Sequence, residues 1–86
     1  MTQKSQTPDE RFLVKFYQTA VQSGDPCVPM DYRGIAKSLG QKETAMKNII
    51  KHLAQANFVK KIDENVLYLT PRGCQFALDT IEDWKI

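Results

Sequence analysis

The side chains best suited to chemistry in this sequence are basic and amide groups concentrated in its middle. Between residues 32 and 61 there are seven lysine or arginine residues and one glutamate, a net charge of +6, whereas the whole chain carries +2. Cationic side chains bind phosphate oxygens, and amides and hydroxyls hydrogen-bond to nucleobases. A phosphate-binding face and a solvated basic helix surface explain this charge distribution equally well.

The remaining reactive side chains are two cysteines and one histidine. Cys27 and Cys74 lie far apart in the sequence and form no CxxC motif, so we expect free, partly buried thiols, with a redox switch as the alternative. His52 is expected on the surface, and a structural zinc site draws four ligands from closely spaced pairs. We therefore predict no metal, no cofactor and no small-molecule substrate.

Catalytic and membrane-spanning motifs are absent from the sequence. It has no glycine-rich phosphate loop and no carboxylate pair framed by apolar residues. It also offers no plausible Ser/His/Asp catalytic set around its single histidine. The chain is thus predicted to bind rather than to catalyse. No apolar run approaches the roughly 20 residues of a membrane span. The start, residues 1–7, lacks the apolar stretch of a signal peptide, so we expect a cytoplasmic protein without membrane contact.

Helix signals divide the first part of the chain into three helices. Thr7-Pro8-Asp9-Glu10 combines a capping threonine, a proline and a glutamate, which together start a helix. Apolar residues at helical spacing follow as far as Gly24, a typical stop. Asp31 can cap a second helix that ends at Gly40. A third helix is predicted over about 43–56.

The rest of the chain is predicted to form a hairpin and a last helix. Two β-rich runs, residues 58–62 and 66–70, flank the acidic turn Asp63-Glu64-Asn65. Thr70-Pro71 repeats the combination of cap and proline and opens a fourth helix. Two prolines keep a short segment at 27–30, before the second helix, extended. The predicted order is helix, strand, helix, helix, hairpin, helix.

Three motifs in this order resemble the winged helix-turn-helix regulators of the MarR and PadR type. Residues 35–46 look like a helix-turn-helix, with Gly40 where the turn needs a left-handed residue. Residues 53–59 are similar to the passage from the third helix into the first wing strand, with Asn57 replacing the usual glycine. Leu69-Thr70-Pro71-Arg72-Gly73 matches the start of the last helix in these families.

The resemblance implies both a fold and a function. The fold is α+β: a winged helix-turn-helix domain at 7–86 with a three-helix core, a β-hairpin wing and a C-terminal helix, after a disordered tail at 1–6. The function is sequence-specific binding of double-stranded DNA as a small transcriptional regulator, with the third helix in the major groove. The alternative is a winged-helix module for protein–protein interaction in a larger assembly, which the acidic turn favours.

The outer face of the third helix supplies the central DNA contacts in this prediction. At about 100° per residue, its polar side chains lie opposite its apolar stripe. Asn48 is the candidate for reading adenine, while Lys47 and Lys51 hold phosphates. The complete set of predicted DNA contacts is Arg33, Lys37, Lys42, Thr44, Lys47, Asn48, Lys51, Lys60 and Lys61.

A homodimer is predicted through the first and last helices. The apolar residues of the first helix cover roughly half of its circumference, which is wide for a helix that touches one core. Phe76 points nearly opposite the apolar stripe of the last helix. The predicted interface comprises Phe12, Phe16, Tyr17, Phe76 and Trp84.

Overall fold

A computed structural model describes residues 7–84 of the 86-residue chain, with Trp84 described in its backbone alone. Four helices and three strands follow one another in this range: α1 (Pro8–Gln22), β1 (Met30–Asp31), α2 (Arg33–Ser38), α3 (Glu43–Gln55), β2 (Val59–Lys61), β3 (Val66–Leu69) and α4 (Pro71–Trp84). The α+β class and the order of elements confirm the prediction. The predicted disordered tail at 1–6 lies outside the described residues.

The starts of the helices agree with the sequence signals at α1 and differ at α2. At α1 the capping box is formed, with the Glu10 N–H donating to Thr7 Oγ1 and the Thr7 N–H donating to Glu10 Oε1, each at 3.1 Å. Asp31 was predicted as the N-cap of α2, but it ends β1, and Tyr32 is the N-cap. Asp31 Oδ1 still accepts the Arg33 N–H at 2.8 Å, because an aspartate reaches the amide two residues on. Asp31 therefore accepts a backbone N–H of the first turn of α2, although it lies one residue before the N-cap.

Both helices of the predicted helix-turn-helix end in a left-handed residue. The φ angles are +70° at Gly40 after α2 and +67° at Asn57 after α3. In each case the next N–H bonds back to the carbonyl five residues earlier, at 3.0 Å after Gly40 and 2.9 Å after Asn57. This is the hydrogen bond of a Schellman motif, and it satisfies a carbonyl that the helix end leaves free. The left-handed conformation predicted at both positions is confirmed.

The strands form an antiparallel sheet in the order β1-β3-β2. The predicted hairpin is present with shorter strands, and Val59 of β2 lies opposite Leu69 of β3. The segment predicted at 27–30 as extended is a strand only at its end, where Met30 lies opposite Leu67. The four helices and this small sheet are compatible with a winged-helix layout.

The core lies between the helices and one face of the sheet. α1 packs against α2, α3 and α4 of its own chain. The two phenylalanine rings of α1 contact each other with centroids 5.7 Å apart. The largest wholly buried side chains are Phe12, Phe16, Leu13, Met46, Leu67, Leu69 and Val59.

The burial of α1 corrects two residues of the predicted dimer interface. Phe12 and Phe16 have 0% of their surface exposed within a single chain, so neither is available to a second copy. Three other helices cover most of the wide apolar arc of α1, and Val21 near its end stays 45% exposed. Phe76 also has a partner in its own chain, since its ring stacks on Phe58 with centroids 4.6 Å apart. Tyr17 is half-buried against the core, and the homodimer itself stays a prediction.

Hydrogen bonds and a close backbone approach connect the turn after α3 to the start of α4. Thr70 Oγ1 accepts the Gly73 N–H at 3.0 Å, which confirms the predicted cap of α4. The same hydroxyl donates to the Asn57 carbonyl at 2.6 Å. A Cβ at Gly73 would overlap the carbonyl of Phe58, so only glycine fits there without movement. The motif at 69–73 therefore brings α4 directly against the turn that follows α3.

Candidate nucleic-acid interface

The outer face of α3 is polar and exposed to solvent. Its inner side consists of four buried apolar residues: Met46, Ile49, Ile50 and Leu53. The residues that helical spacing assigned to the outer face are all exposed: Thr44, Lys47, Asn48, Lys51, His52 and Gln55. The division into a core face and a polar face therefore follows the 3.6-residue period of the sequence. We use the name "outer face" for this exposed set below.

Open grooves lie on the side of α3 that faces the hairpin and α2. A cavity of about 480 Å³ separates α3 from the hairpin, and Lys47, Lys51 and Lys61 contribute to its walls. A neighbouring cavity of about 350 Å³ lies between α2 and α3, where Arg33 and Lys37 contribute. Both cavities share three lining residues: Tyr32, Glu43 and Asn65. The two cavities therefore adjoin, and we call them together the α3 groove.

The predicted DNA contacts divide into two groups in the structure. Five of them line the α3 groove: Arg33, Lys37, Lys47, Lys51 and Lys61. Lys42 and Thr44 at the start of α3 and Asn48 in its middle are exposed outside the lining of the groove. Lys60 precedes Lys61 in β2, and successive side chains of a strand point to opposite faces. Lys60 is therefore turned away from the groove that Lys61 lines.

Arg33 is held by a carboxylate of its own chain. Its Nη2 lies 2.7 Å from Asp31 Oδ2, and its Nε lies 3.1 Å from Oδ1. The hydrogen bonds from the guanidinium and from the Arg33 backbone N–H hold the pKa of Asp31 below its usual value. The same side-chain pairing raises the pKa of Arg33. The positive charge of Arg33 is therefore compensated locally, which its sequence position did not indicate.

Acidic residues border the basic ones along the α3 groove. Glu43 lies one turn before Lys47, with Oε1 3.8 Å from Nζ, and both side chains are largely exposed. An exposed pair at this distance is screened by water and contributes little, so Lys47 keeps the freedom to reach another anion. Glu64 of the hairpin turn lines the same groove. The groove is thus of mixed charge. Lys47 and Lys51 belong both to the groove and to the outer face, whose other members carry uncharged polar groups and one histidine.

Sequence reasoning missed the contribution of Tyr32 and Asn65 to the groove. The Tyr32 N–H donates to the Asn65 carbonyl at 3.0 Å, which ties the start of α2 to the hairpin turn. The pairing of β1 with β3 sets this contact, and local sequence carries no signal for it. Asn65 was predicted only as part of the acidic turn, although the fold places it beside α2 and α3.

The cysteines and the histidine lie outside this groove. Cys27 is exposed, rather than partly buried as predicted, and Cys74 is half-buried; both are free thiols. Their sulfur atoms are 3.8 Å apart. His52 is exposed as predicted, with Nδ1 3.7 Å from Asp9 Oδ2. Among residues 7–84, no group of three or more histidine, cysteine or acidic residues is arranged to hold a metal ion.

Comparison with known proteins returned no relative of this chain. No protein-family description, curated protein or solved structure matches it. The likeness to MarR and PadR regulators consequently rests on the motifs of the chain itself. Within residues 7–84, none of the helices combines the length and the apolar character needed to cross a membrane.

Proposed function

We propose that this protein is a winged helix-turn-helix domain that binds double-stranded DNA through the outer face of α3. The observation that carries the proposal is the exposure of Lys47, Asn48 and Lys51 along one side of a helix whose other side is core. A helix of 13 residues is about 20 Å long and enters the major groove, which is about 12 Å wide. The order of elements and the three-stranded sheet support the assignment of the fold.

The exposed side chains divide naturally between base reading and backbone contact. The Asn48 side-chain amide can donate to N7 of adenine through its Nδ2–H and at the same time accept from the N6 amino group through Oδ1, and so can bond two atoms of one base edge. Lys47 and Lys51 lie on either side of it along the helix and suit phosphate oxygens. Lys37 of α2 extends the same positive surface across the groove. Binding to phosphates supplies affinity, and Asn48 supplies sequence preference.

The acidic hairpin turn sets a limit on how the domain meets DNA. Asp63 and Glu64 are exposed at this turn, and phosphate repels carboxylates. A wing that carries them is held away from the minor groove rather than inserted into it. The proposed complex is therefore centred on α3, and Lys61 is the residue of the hairpin that we place near the DNA phosphates.

A protein–protein interaction module is the second candidate function. Ile62 is 56% exposed beside the acidic turn, which makes it the most exposed large apolar side chain among the described residues. An exposed apolar residue flanked by carboxylates suits a partner that offers an apolar pocket with a basic rim. Ile62 itself is not part of the outer face of α3, although nearby Glu64 lines the α3 groove. The two candidate functions can therefore be tested independently.

The first experiment is a salt titration of binding to random-sequence duplex DNA, monitored by fluorescence anisotropy. The Lys47→Ala/Lys51→Ala variant is compared with Arg11→Ala/Lys15→Ala, which removes the same charge from exposed positions of α1. Each lost phosphate contact reduces the steepness of the negative slope of log affinity against log salt by about 0.9. We expect a decrease of about 1.8 for the α3 variant and a smaller change for the α1 variant.

Two results would count against DNA binding through the outer face of α3. The wild-type protein could fail to bind at low salt, or both variants could lose affinity equally, which would indicate non-specific charge attraction. In either case an interaction assay with the Ile62→Asp variant would test the second function. Sedimentation of the protein alone and with duplex DNA tests the predicted homodimer, whose half-sites would lie about one helical turn apart.

A further inference from the structure

The fold brings together the only two cysteines of the chain. Cys27 lies in the loop between α1 and β1, and Cys74 lies in the first turns of α4. They are 47 positions apart, yet their sulfur atoms are 3.8 Å from each other, which is van der Waals contact. Neither cysteine belongs to the residues proposed to bind DNA. It is therefore a second feature of the molecule with its own chemistry.

We propose that Cys27 and Cys74 form a redox-active dithiol that closes to an intramolecular disulfide when it meets a low-molecular-weight disulfide such as oxidised glutathione. The bond would join the α1–β1 loop to α4. This proposal stands independently of DNA binding, since it concerns thiol chemistry on another part of the surface.

The surroundings of the two sulfurs allow the bond to form. A disulfide bond is about 2.0 Å long, so the sulfurs must approach by less than about 2 Å, a distance that side-chain rotation and a small loop shift can cover. Cys27 is exposed and belongs to a loop, whereas Cys74 is anchored in a helix. The Cys27 N–H donates to Asp25 Oδ1 at 2.8 Å, which holds the loop in its present turn. The loop therefore presents one sulfur to the other.

The chemistry proceeds by two thiol–disulfide exchanges. The exposed Cys27 thiolate attacks one sulfur of oxidised glutathione, a mixed disulfide forms, and one glutathione thiolate leaves with the electron pair of the broken bond. The Cys74 thiolate then attacks the Cys27 sulfur and releases the second glutathione thiolate. The two protons lost by the cysteines are taken up by the two leaving thiolates. The protein dithiol is oxidised and the glutathione disulfide is reduced.

The environment of Cys74 supports this order of attack. Burial, together with the hydrogen bond to Cys27, raises the pKa of Cys74 to about 11. Its thiolate is scarce at neutral pH, so Cys74 is a poor first nucleophile toward a dissolved disulfide. Contact with the Cys27 sulfur compensates in the second step, because the attack is then intramolecular. Cys27 is therefore the attacking residue and Cys74 the resolving residue.

Closure of the disulfide would constrain most of the domain. The ring would contain residues 27–74, which include α2, α3 and the whole hairpin. Cross-linking a loop of this length restricts the unfolded chain and stabilises the folded one. For a domain of this size, we expect oxidation to raise Tm by at least about 5 °C. The first turn of α4 also contacts the end of α3 through Thr70, so the constraint reaches the proposed DNA-binding helix.

The experiment compares the full chain after incubation with oxidised or reduced glutathione. Intact mass, alkylation of free thiols and a non-reducing gel report the product, and a thermal melt reports stability. We expect a monomer that has lost two hydrogen atoms, carries no bound glutathione and melts at a higher temperature. Dithiothreitol should reverse all three changes.

Single-cysteine variants separate the proposed pair from ordinary thiol reactivity. Cys27→Ser and Cys74→Ser should each give only a glutathione adduct, without the rise in Tm. The adduct should form faster in Cys74→Ser, which keeps the exposed thiol. A wild-type protein that stays reduced, that retains glutathione or that forms covalent dimers would overturn the proposal. An intramolecular disulfide formed without a rise in Tm would overturn the inferred constraint on the domain.

Discussion

The side-chain hydroxyl of Thr70 donates a hydrogen bond of 2.6 Å to the backbone carbonyl of Asn57. Asn57 is the left-handed residue that ends α3, and Thr70 is the residue that caps α4. One buried hydroxyl therefore joins the two helix termini and satisfies a polar group on each. Because α4 in turn packs on α1, this junction helps to hold α3 in position with its outer face toward solvent.

Replacing Thr70 with valine should destabilise the protein without altering its shape. Valine has nearly the volume of threonine but leaves the Asn57 carbonyl and the Gly73 N–H without this partner. Loss of an N-cap and of a buried hydrogen bond together costs about 2–3 kcal/mol. Urea unfolding measures the difference. Thr70→Ser, which keeps the hydroxyl, should lose clearly less; equal losses in the two variants would mean that the hydroxyl is unimportant.

Two helical glycines should respond in opposite directions to alanine. Gly73→Ala places a methyl group on the Phe58 carbonyl, and the backbone must move, so we expect a loss of about 2 kcal/mol or more. Gly34→Ala adds the same group in open space on α2 and should stabilise the protein by about 0.5–1 kcal/mol. Thermal and urea unfolding of both variants test this. Similar effects from the two substitutions would contradict the proposed close approach at Gly73.

Phe16 should behave as a core residue and not as an interface residue. Phe16→Leu removes part of a wholly buried ring, so the free energy of unfolding should fall by about 1–2 kcal/mol. The loss should be the same at low and high protein concentration, and the mass in solution should not change. Sedimentation and urea unfolding at two concentrations provide the measurement. A weakened dimer with unchanged monomer stability would restore the original interface prediction.

Neutralising Asp31 should strengthen DNA binding if the proposed function holds. Asp31→Asn frees the Arg33 guanidinium for a phosphate, while the asparagine carbonyl can still accept the Arg33 N–H. The slope of log affinity against log salt should steepen by about 0.9, which corresponds to one additional phosphate contact. The Asp31→Asn/Arg33→Gln variant should lose this gain. A gain that persists in the double variant would assign the effect to net charge alone.

Local sequence signals were sufficient for most of the elements. The capping box at Thr7, the left-handed residues Gly40 and Asn57, and the cap at Thr70 all act between residues close in the chain. Such interactions depend on backbone geometry and side-chain type, which a sequence displays directly. The polar face of α3 was predictable for a similar reason, because helical periodicity separates it from the apolar stripe.

These local signals did not predict contacts between distant parts of the chain. The apolar stripe of α1 was correctly seen, but periodicity does not say which surface covers it, so Phe12 and Phe16 were wrongly assigned to a second copy. The closeness of Cys27 and Cys74 depends on how α4 packs beside the loop that follows α1.

The sequence by itself determined the order of the elements, where most of them begin and end, and which residues of α3 face outward. These properties arise from interactions within one or two turns of chain. Only the tertiary structure decided that α1 is covered by its own chain, that Asn65 joins α2 beside the α3 groove, and that the two sulfurs touch. Such contacts depend on packing among elements many residues apart, and a local pattern is compatible with several packings.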